Sequence, residues 1–363
     1  MDIANPLSYC IFDGLQWNSM RGLGRYARQL GRHLERMPWE RRSIARPEWK
    51  SGLGRVLLSE LVEPVWREVI HPDIAFYPHN VLPFIFLSHL SFRVLVLHDV
   101  LFLQSENRSK GNRYRSLKLR GSLSKADLII TVSETSRREI LEMLNPQCPV
   151  LVIPNALAES FGEEIETPKL HESASMHVLH FGGASPTKNT RNVIRAVTLL
   201  NRRGLNVHLD LAAMSGKREL VEQWRQEAEL GGDALTVLPS LSDQELRNVY
   251  GRTHAHCMPS TGEGFGIPVI EAAFLGTPNV LSPIEVFREL IGQDAIFAAS
   301  LDAQEIADAL LRCLSSDTKA MSLRARQRAD RFTFDSVHNT RAIPVFQAVE
   351  AMVDSRQSGR RFA

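Results

Sequence analysis

The sequence is short of several things, and each shortage argues against a class of protein. Only four cysteines occur in 363 residues, Cys10, Cys148, Cys257 and Cys313, and no two form a C-x-x-C pair. That argues against a disulfide framework or a cysteine zinc site, and for reduced thiols in a cytoplasmic protein. Long hydrophobic runs are missing too. The nearest, residues 81–92, contains Pro83 and His89 and falls short of the roughly 20 residues a spanning helix needs. The first ten residues, MDIANPLSYC, lack a basic region followed by a long apolar one, so no secretory leader is expected. No internal repeat or low-complexity block is visible.

Net charge is also small, at +2. That figure hides an asymmetry. Residues 1–153 hold 21 Lys and Arg against 15 Asp and Glu, whereas residues 154–363 hold 22 against 26. The basic excess peaks at Arg108, Lys110, Arg113, Arg115, Lys118, Arg120 and Lys125, with only Glu106 opposing nearby. Such a patch suits an anionic surface, and a solvated helix face is the bland alternative. Nucleic acid is the weakest partner, because the run lacks a recognised motif and interleaved aromatics.

What is present is an ordinary globular composition, 44% hydrophobic and 23% charged, in a chain long enough for two domains. Apolar runs at 9–12, 93–97, 128–132 and 150–153 read as buried strands, and 21–36 as a helix. An acidic, weakly patterned stretch at 156–175 reads as a linker. Alternation then restarts. Strands are expected at 177–181, 206–212, 235–238, 255–258, 279–281 and 295–298, with helices between them at 190–202, 217–229, 242–250, 267–275, 284–291 and 303–314. Helical patterns follow at 318–331 and 336–353, and the basic tail from Asp354 is expected to fray. Regular β–α alternation with apolar strands implies parallel sheets covered on both faces. The expected fold class is α/β, with Rossmann-like domains at 1–155 and 176–335, a linker at 156–175, and a C-terminal helix and tail at 336–363.

Four segments carry chemistry. Pro259-Ser-Thr-Gly-Glu263-Gly-Phe-Gly-Ile-Pro268-Val-Ile-Glu271 is a glycine loop opening a helix, a place where free N–H groups and the helix dipole favour phosphate. Glu271 falls on the apolar stripe set by Ile267, Ile270 and Phe274. A carboxylate there needs a partner, which a sugar hydroxyl or an internal ion pair would supply. Glu263 on the loop either reaches the same ligand or is solvated. In His180-Phe-Gly-Gly-Ala-Ser-Pro-Thr-Lys188-Asn189-Thr190, Lys188 stands at a helix N-terminus that Asn189 or Thr190 would cap. A cation there opposes the dipole, so an anion between them is the functional reading and a surface lysine the bland one. Leu97-His98-Asp99 ends a strand, where open α/β sheets gather ligands. His98 would donate to a ligand oxygen, with Asp99 orienting the loop or the imidazole; a structural strand-end pair is the alternative. Gly22-Leu-Gly24-Arg-Tyr follows its strand too distantly for a dinucleotide fingerprint.

Together these segments resemble glycosyltransferase family 4, retaining enzymes of GT-B fold. Glu263 to Glu271 is similar to its E-x7-E motif, and Gly22-Leu-Gly-Arg-Tyr to its G-x-G-R-Y loop. Val96-Leu-His-Asp is similar to its H-D strand end, and Gly182 to Asn189 to its phosphate loop ending in K-N. Ala126-Asp-Leu-Ile-Ile-Thr-Val-Ser and Val152-Ile-Pro-Asn agree with two further signatures, in order, across about residues 7–335. The resemblance implies two facing Rossmann-like domains with a cleft between them, and a C-terminal helix at 336–363 that packs back on the N-terminal domain. It implies that Glu271 binds the nucleotide ribose, that Glu263 and the amides of Gly264, Phe265 and Gly266 hold the donor sugar, and that Lys188 neutralises the leaving diphosphate. His98 would contact the transferred sugar, and Gly22 and Gly24 would line the diphosphate side. Many members carry an Arg about six residues before the lysine; Gly182-Gly183-Ala184 stands there instead.

The activity so implied is transfer of a hexose, best matched by mannose from GDP-mannose, to a polyprenyl-diphosphate-linked or polysaccharide acceptor in O-antigen-like cell-surface glycan assembly. No D-x-D triplet occurs, so neither a metal nor another cofactor is expected. The basic patch and the 81–92 run would suit peripheral attachment to the inner face of the plasma membrane. Two other readings fit the same residues: a catalytically silent partner that only binds nucleotide sugar, and a GT-B nucleotide-sugar epimerase.

Overall fold

The computed structural model describes residues 6–12, 22–42, 69–78, 80, 82, 91–104, 110–162 and 175–361. The chain forms two compact units, residues 1–155 with 335–363, and residues 156–334.

The first unit is built on strands β1 (Ser8–Ile11), β2 (Glu40–Arg41), β3 (Ile74–Tyr77), β4 (Phe92–Val96), β5 (Leu128–Thr131) and β6 (Val150–Val152). They form one parallel sheet in the order β2-β1-β3-β4-β5-β6. Each central strand is a short apolar run, and β1, β3, β4 and β5 are buried at every residue. Strand β3 was not among the strands expected from sequence. Its four residues lie between Pro72 and Pro78, too few to show a period. Helices α1 (Gly22–Glu35), α2 (Lys110–Leu123) and α3 (Glu134–Leu144) belong to the same unit. Ser133 caps α3: its hydroxyl accepts the Ser136 N–H at 2.9 Å.

The C-terminal segment belongs to this unit as well. Phe346 packs against Trp39 and Phe76, with ring centroids 5.7 and 6.2 Å apart. Burying such aromatic rings contributes about 1.5–3 kcal/mol each. His33 and His338 stack in parallel, their Nδ1 atoms 3.2 Å apart. The tail does not fray as expected, since the last helix runs to Arg361. Arg356 ties it to Asp127 at 3.2 Å.

The second unit carries β7 (Met176–Phe181), β8 (Val207–Ala212), β9 (Leu235–Val237), β10 (Ala255–Met258), β11 (Asn279–Leu281) and β12 (Ile296–Phe297). They too form a parallel sheet, ordered β12-β11-β10-β7-β8-β9. Between and after them run α4 (Thr190–Arg202), α5 (Arg218–Glu227), α6 (Asp243–Arg252), α7 (Ile267–Phe274), α8 (Glu285–Ile291), α9 (Ala303–Ser315) and α10 (Lys319–Ala329). Val193, Ile194 and Val197 of α4 and Ile306, Ala307 and Leu310 of α9 share one core with β7, β8 and β10.

The expected linker is not one over its first part. Ala156, Leu157 and Phe161 are buried, and the Leu157 N–H donates to the Phe332 carbonyl at 2.8 Å. Three apolar side chains inside an acidic stretch dock it onto the second unit. Residues 163–174 of that stretch lie outside the described residues.

Strand order reverses between β7 and β10 in the second sheet. The ends of these two neighbours therefore diverge into loops that leave a crevice, the place where open α/β sheets hold ligands.

Candidate active site

The two loops at this switch point are the lysine loop after β7 and the glutamate loop after β10. The structure brings them together. Lys188 Nζ donates to Glu263 Oε1 at 2.7 Å, with the two side chains 30% and 14% exposed. One main-chain bond pins the loops beside this pair, from the Thr261 N–H to the Thr187 carbonyl at 2.9 Å. Glu263 is thus neither solvated nor independent of Lys188.

Lys188 closes a short turn, Pro186–Lys188, directly before α4. Neither expected cap serves that helix through its side chain. Asn189 takes the N-cap position in a left-handed conformation, φ 55°, and its amide instead reaches the Leu301 carbonyl at 2.8 Å. Thr190 lies inside the first turn and points back at the glycine loop, its Oγ1 accepting the Gly183 N–H at 3.1 Å. The glycines here have a steric cause. A Cβ on Gly183 would stand 2.7 Å from Lys188 Cγ, and one on Gly182 would stand 2.8 Å from Leu211 Cδ1 and Met214 Cγ. Gly266, at the N-cap of α7, combines φ 116° with a Cβ position 2.8 Å from a Phe287 ring carbon.

Glu271 does not lie on a stripe. Residues Val269 to Phe274 are all buried, so α7 is covered on every side and its carboxylate, 1% exposed, is enclosed. Tyr250, which the sequence did not single out, supplies a bond: its hydroxyl lies 3.2 Å from both Glu271 Oε2 and the Pro268 carbonyl. Tyr250 ends an amphipathic helix, and nothing in its own segment marks it as a partner of a residue 21 positions on.

Gly264 and the buried Phe265 lie on the glutamate loop, and His98, Asp99, Gly22 and Gly24 fall in the first unit. His98 is buried and edge-on to Tyr26, ring centroids 4.8 Å apart. Its backbone N–H is held by Asn80 Oδ1 at 2.9 Å, and among the described residues its Nε2 has no hydrogen-bond partner. Burial drives its pKa down to about 4, so the ring is neutral near pH 7. Asp99 caps the turn after β4, accepting the Leu101 N–H at 3.1 Å, so of the two roles expected it takes the loop rather than the imidazole in this bond. Gly22 and Gly24 open α1; a Cβ on Gly22 would meet nothing within 4 Å, so packing does not demand glycine there.

The basic patch is only partly on the surface. Arg120 of α2 is exposed, but Lys118 is 9% exposed and leaves the patch because it faces inward. Lys110, Arg113 and Arg115 lie on the same helix. Arg108 and most of the 81–92 run, residues 83–90, lie outside the described residues. Among the described residues, no helix is long and apolar enough to cross a membrane.

One group of potential metal ligands is present among the described residues. His177, His208 and Asp210 place ligand-type atoms within 4.8 Å of one another near the starts of β7 and β8, the opposite end of the sheet from Lys188. Its groups already satisfy each other. Asp210 is paired to Arg252 at 3.2 Å and to His177 at 2.9 Å, and His208 is bonded to the Asp233 carbonyl and Thr236. The arrangement is an internal ion-pair network.

At the switch point, then, one cation, one carboxylate and a glycine-opened helix N-terminus converge, with a second, enclosed carboxylate one turn into that helix. Such a set can hold an anion and hydroxyl groups together. The architecture is that of solved glycosyltransferase structures. Sucrose-phosphate synthase from Thermosynechococcus elongatus superposes with a TM-score of 0.77 over 96% of this chain and 100% of that one, at 15% identity. The fold is GT-B and the protein is a glycosyltransferase.

Residues 162–330, nearly the whole second unit, match the family model Glycosyl transferases group 1. The chain is 28% identical over 275 residues to the Escherichia coli O-antigen chain mannosyltransferase B, a match covering 70% of each protein. It is 26% identical over 223 residues to the O-antigen chain mannosyltransferase RfbU of Salmonella typhimurium, covering 60% of this chain and 58% of that one.

Proposed function

We propose that the enzyme transfers a hexose, mannose from GDP-mannose, with retention of configuration, to a lipid-linked or polysaccharide acceptor in cell-surface glycan assembly. The observation that carries the reading is the Lys188–Glu263 pair at 2.7 Å, which joins the lysine loop to the E-x7-E loop at the strand-order reversal. The mannosyltransferase names of the relatives support the choice of sugar and pathway class.

In this reading Glu271 binds the ribose, a hydroxyl being the partner an enclosed carboxylate accepts from. Glu263 and the amides of Gly264, Phe265 and Gly266 hold the donor sugar. Lys188 has three N–H donors, so it keeps Glu263 while it reaches the diphosphate. When the bond from the sugar's anomeric carbon to the phosphate oxygen breaks, its electron pair goes to the diphosphate. Lys188 and the α7 N-terminus stabilise that charge as fixed electrostatics. The acceptor hydroxyl oxygen bonds the anomeric carbon from the same face, and its proton passes to the leaving phosphate oxygen. No step needs a metal. In the first unit, a neutral His98 that gives its proton to the Pro78 carbonyl presents Nε2 as an acceptor for a sugar hydroxyl, and Gly22 and Gly24 offer backbone that a ligand can approach. The exposed Leu117 and Arg120 of α2 suit an anionic membrane surface carrying the acceptor.

The test is a thermal-shift panel of GDP, UDP, ADP and their sugar conjugates, with Glu271→Gln beside the wild type. Ligands that bind only the folded state raise its apparent stability. At equal concentration, guanine nucleotides should stabilise the wild type more than the variant. Equal stabilisation of both proteins would refute the ribose assignment, and a response to UDP or ADP alone would refute GDP-mannose.

A further inference from the structure

The lysine loop must keep one shape if its amides and Lys188 are to meet a diphosphate, and three hydrogen bonds in series, two of them buried, set that shape. The series starts on β10. The Cys257 carbonyl can only accept, so His180 Nδ1, 2.8 Å away, carries a proton and donates it. His180 is fully buried, and burial pushes its pKa down to about 3, so the ring is neutral. Its Nε2 is therefore an acceptor. Thr190 Oγ1 lies 3.1 Å from that nitrogen and donates to it, with the Gly183 carbonyl a longer second acceptor at 3.3 Å. The same oxygen then accepts the Gly183 N–H at 3.1 Å. Gly183 in turn carries the stem of Lys188, since a Cβ there would be 2.7 Å from Lys188 Cγ. Gly182 is held from the other side by its N–H to the Ala212 carbonyl at 3.0 Å.

We propose that Thr190, oriented by His180, is a positioning residue that holds the Gly182–Lys188 loop in its diphosphate-binding shape. This rests on the donor site described above. It goes beyond it in assigning a role to two residues that touch no substrate. It also bears on the missing arginine. With one lysine rather than two cations, the loop depends more on where its main-chain N–H groups point, because fixed dipoles act only when already aimed at the charge. A neutral imidazole suits this task. It adds no charge of its own and its acceptor nitrogen is aimed by a carbonyl on the neighbouring strand.

The test uses the full chain and three variants. Thr190→Val keeps the shape and removes the hydroxyl; Thr190→Ser restores it; His180→Gln keeps an acceptor near the Nε2 position. Affinities are measured by calorimetry for GDP and by saturation-transfer NMR for guanosine, which lacks the diphosphate. Thr190→Val should weaken GDP at least tenfold and leave guanosine within twofold. Thr190→Ser should stay within threefold of the wild type for both, with His180→Gln between. A Thr190→Val protein that binds GDP like the wild type, or loses guanosine to the same degree, would overturn the proposal alone. So would a Thr190→Ser protein as impaired as Thr190→Val. A wild type that binds no nucleoside diphosphate would overturn the donor-site reading and this proposal with it.

Discussion

Lys188 and Glu263 stand 75 positions apart and meet through one 2.7 Å bond at the ends of adjacent parallel strands. The pair makes the two loops a single object. Neither charge can be changed without altering how the other is presented, and the lysine is aimed before any ligand arrives.

Removing the lysine should therefore cost rate more than fold. Lys188→Met is expected to lower kcat by about 10²–10³-fold, the usual effect of deleting one donor aimed at developing negative charge. Lys188→Arg should not restore it, because a broad planar guanidinium does not put a compact point charge where the ammonium stands against Glu263. Initial rates of sugar transfer decide this. A Lys188→Met enzyme retaining a tenth of the wild-type kcat contradicts the assignment.

The enclosed carboxylate should govern nucleotide affinity. Glu271→Gln is expected to weaken GDP by about 10–100-fold, since hydrogen bonds to a charged group contribute about 1.5–3 kcal/mol. Tyr250→Phe removes only the hydroxyl that lies 3.2 Å from Glu271, and its loss should be smaller, about 0.5–1.5 kcal/mol. Calorimetric titration gives both numbers. The reverse order would place Tyr250, not Glu271, on the nucleotide.

Two glycines should behave oppositely. Gly266→Ala puts a Cβ 2.8 Å from Phe287 at φ 116° and should destabilise the protein by about 1–3 kcal/mol. Gly22→Ala meets open space in a helix, so its stability should hold or rise by up to about 1 kcal/mol. If Gly22→Ala nonetheless loses kcat/KM, the loss reports a ligand passing close to that backbone. Urea melts alongside donor kinetics separate the two effects.

Acid should destabilise the protein well above the carboxylate range. His98, His180 and His256 are buried, and burial holds their pKa values near 4, 3 and 4, below the ordinary 6.5. The unfolded chain takes up these protons below about pH 6.5 and the folded chain does not, so stability rises with pH through that window. It is fully present above pH 6.5 and lost as pH falls towards 4. Urea melts at pH 4.5, 5.5, 6.5 and 7.5 should show this slope, then a plateau. Stability that is flat or increases on acidification contradicts it.

Much of the fold was legible because its strands are short apolar runs separated by amphipathic helices. The helix at 190–202, for example, matches α4 residue for residue. What stayed hidden has physical causes. Strand β3 is too short to show a period. Leu157 and Phe161 bury themselves inside a stretch whose charge reads as linker. The stripe inferred around Glu271 failed because α7 is enclosed on all sides, where periodicity carries no signal. Lys188 and Glu271 could be singled out in advance because each looks wrong locally: a cation at a helix start and a carboxylate among apolar residues. Tyr250, Thr190 and His180 look right locally, and their partners lie on other elements.

The central claim is tested most directly by mixing the enzyme with radiolabelled GDP-α-mannose and a polyprenyl-diphosphate-linked saccharide acceptor, then assigning the anomeric configuration of the product by NMR. Transfer of label to the lipid phase as an α-mannoside, abolished in Lys188→Met, is the expected result. A β-mannoside, or GDP-mannose bound but never turned over, would contradict the account.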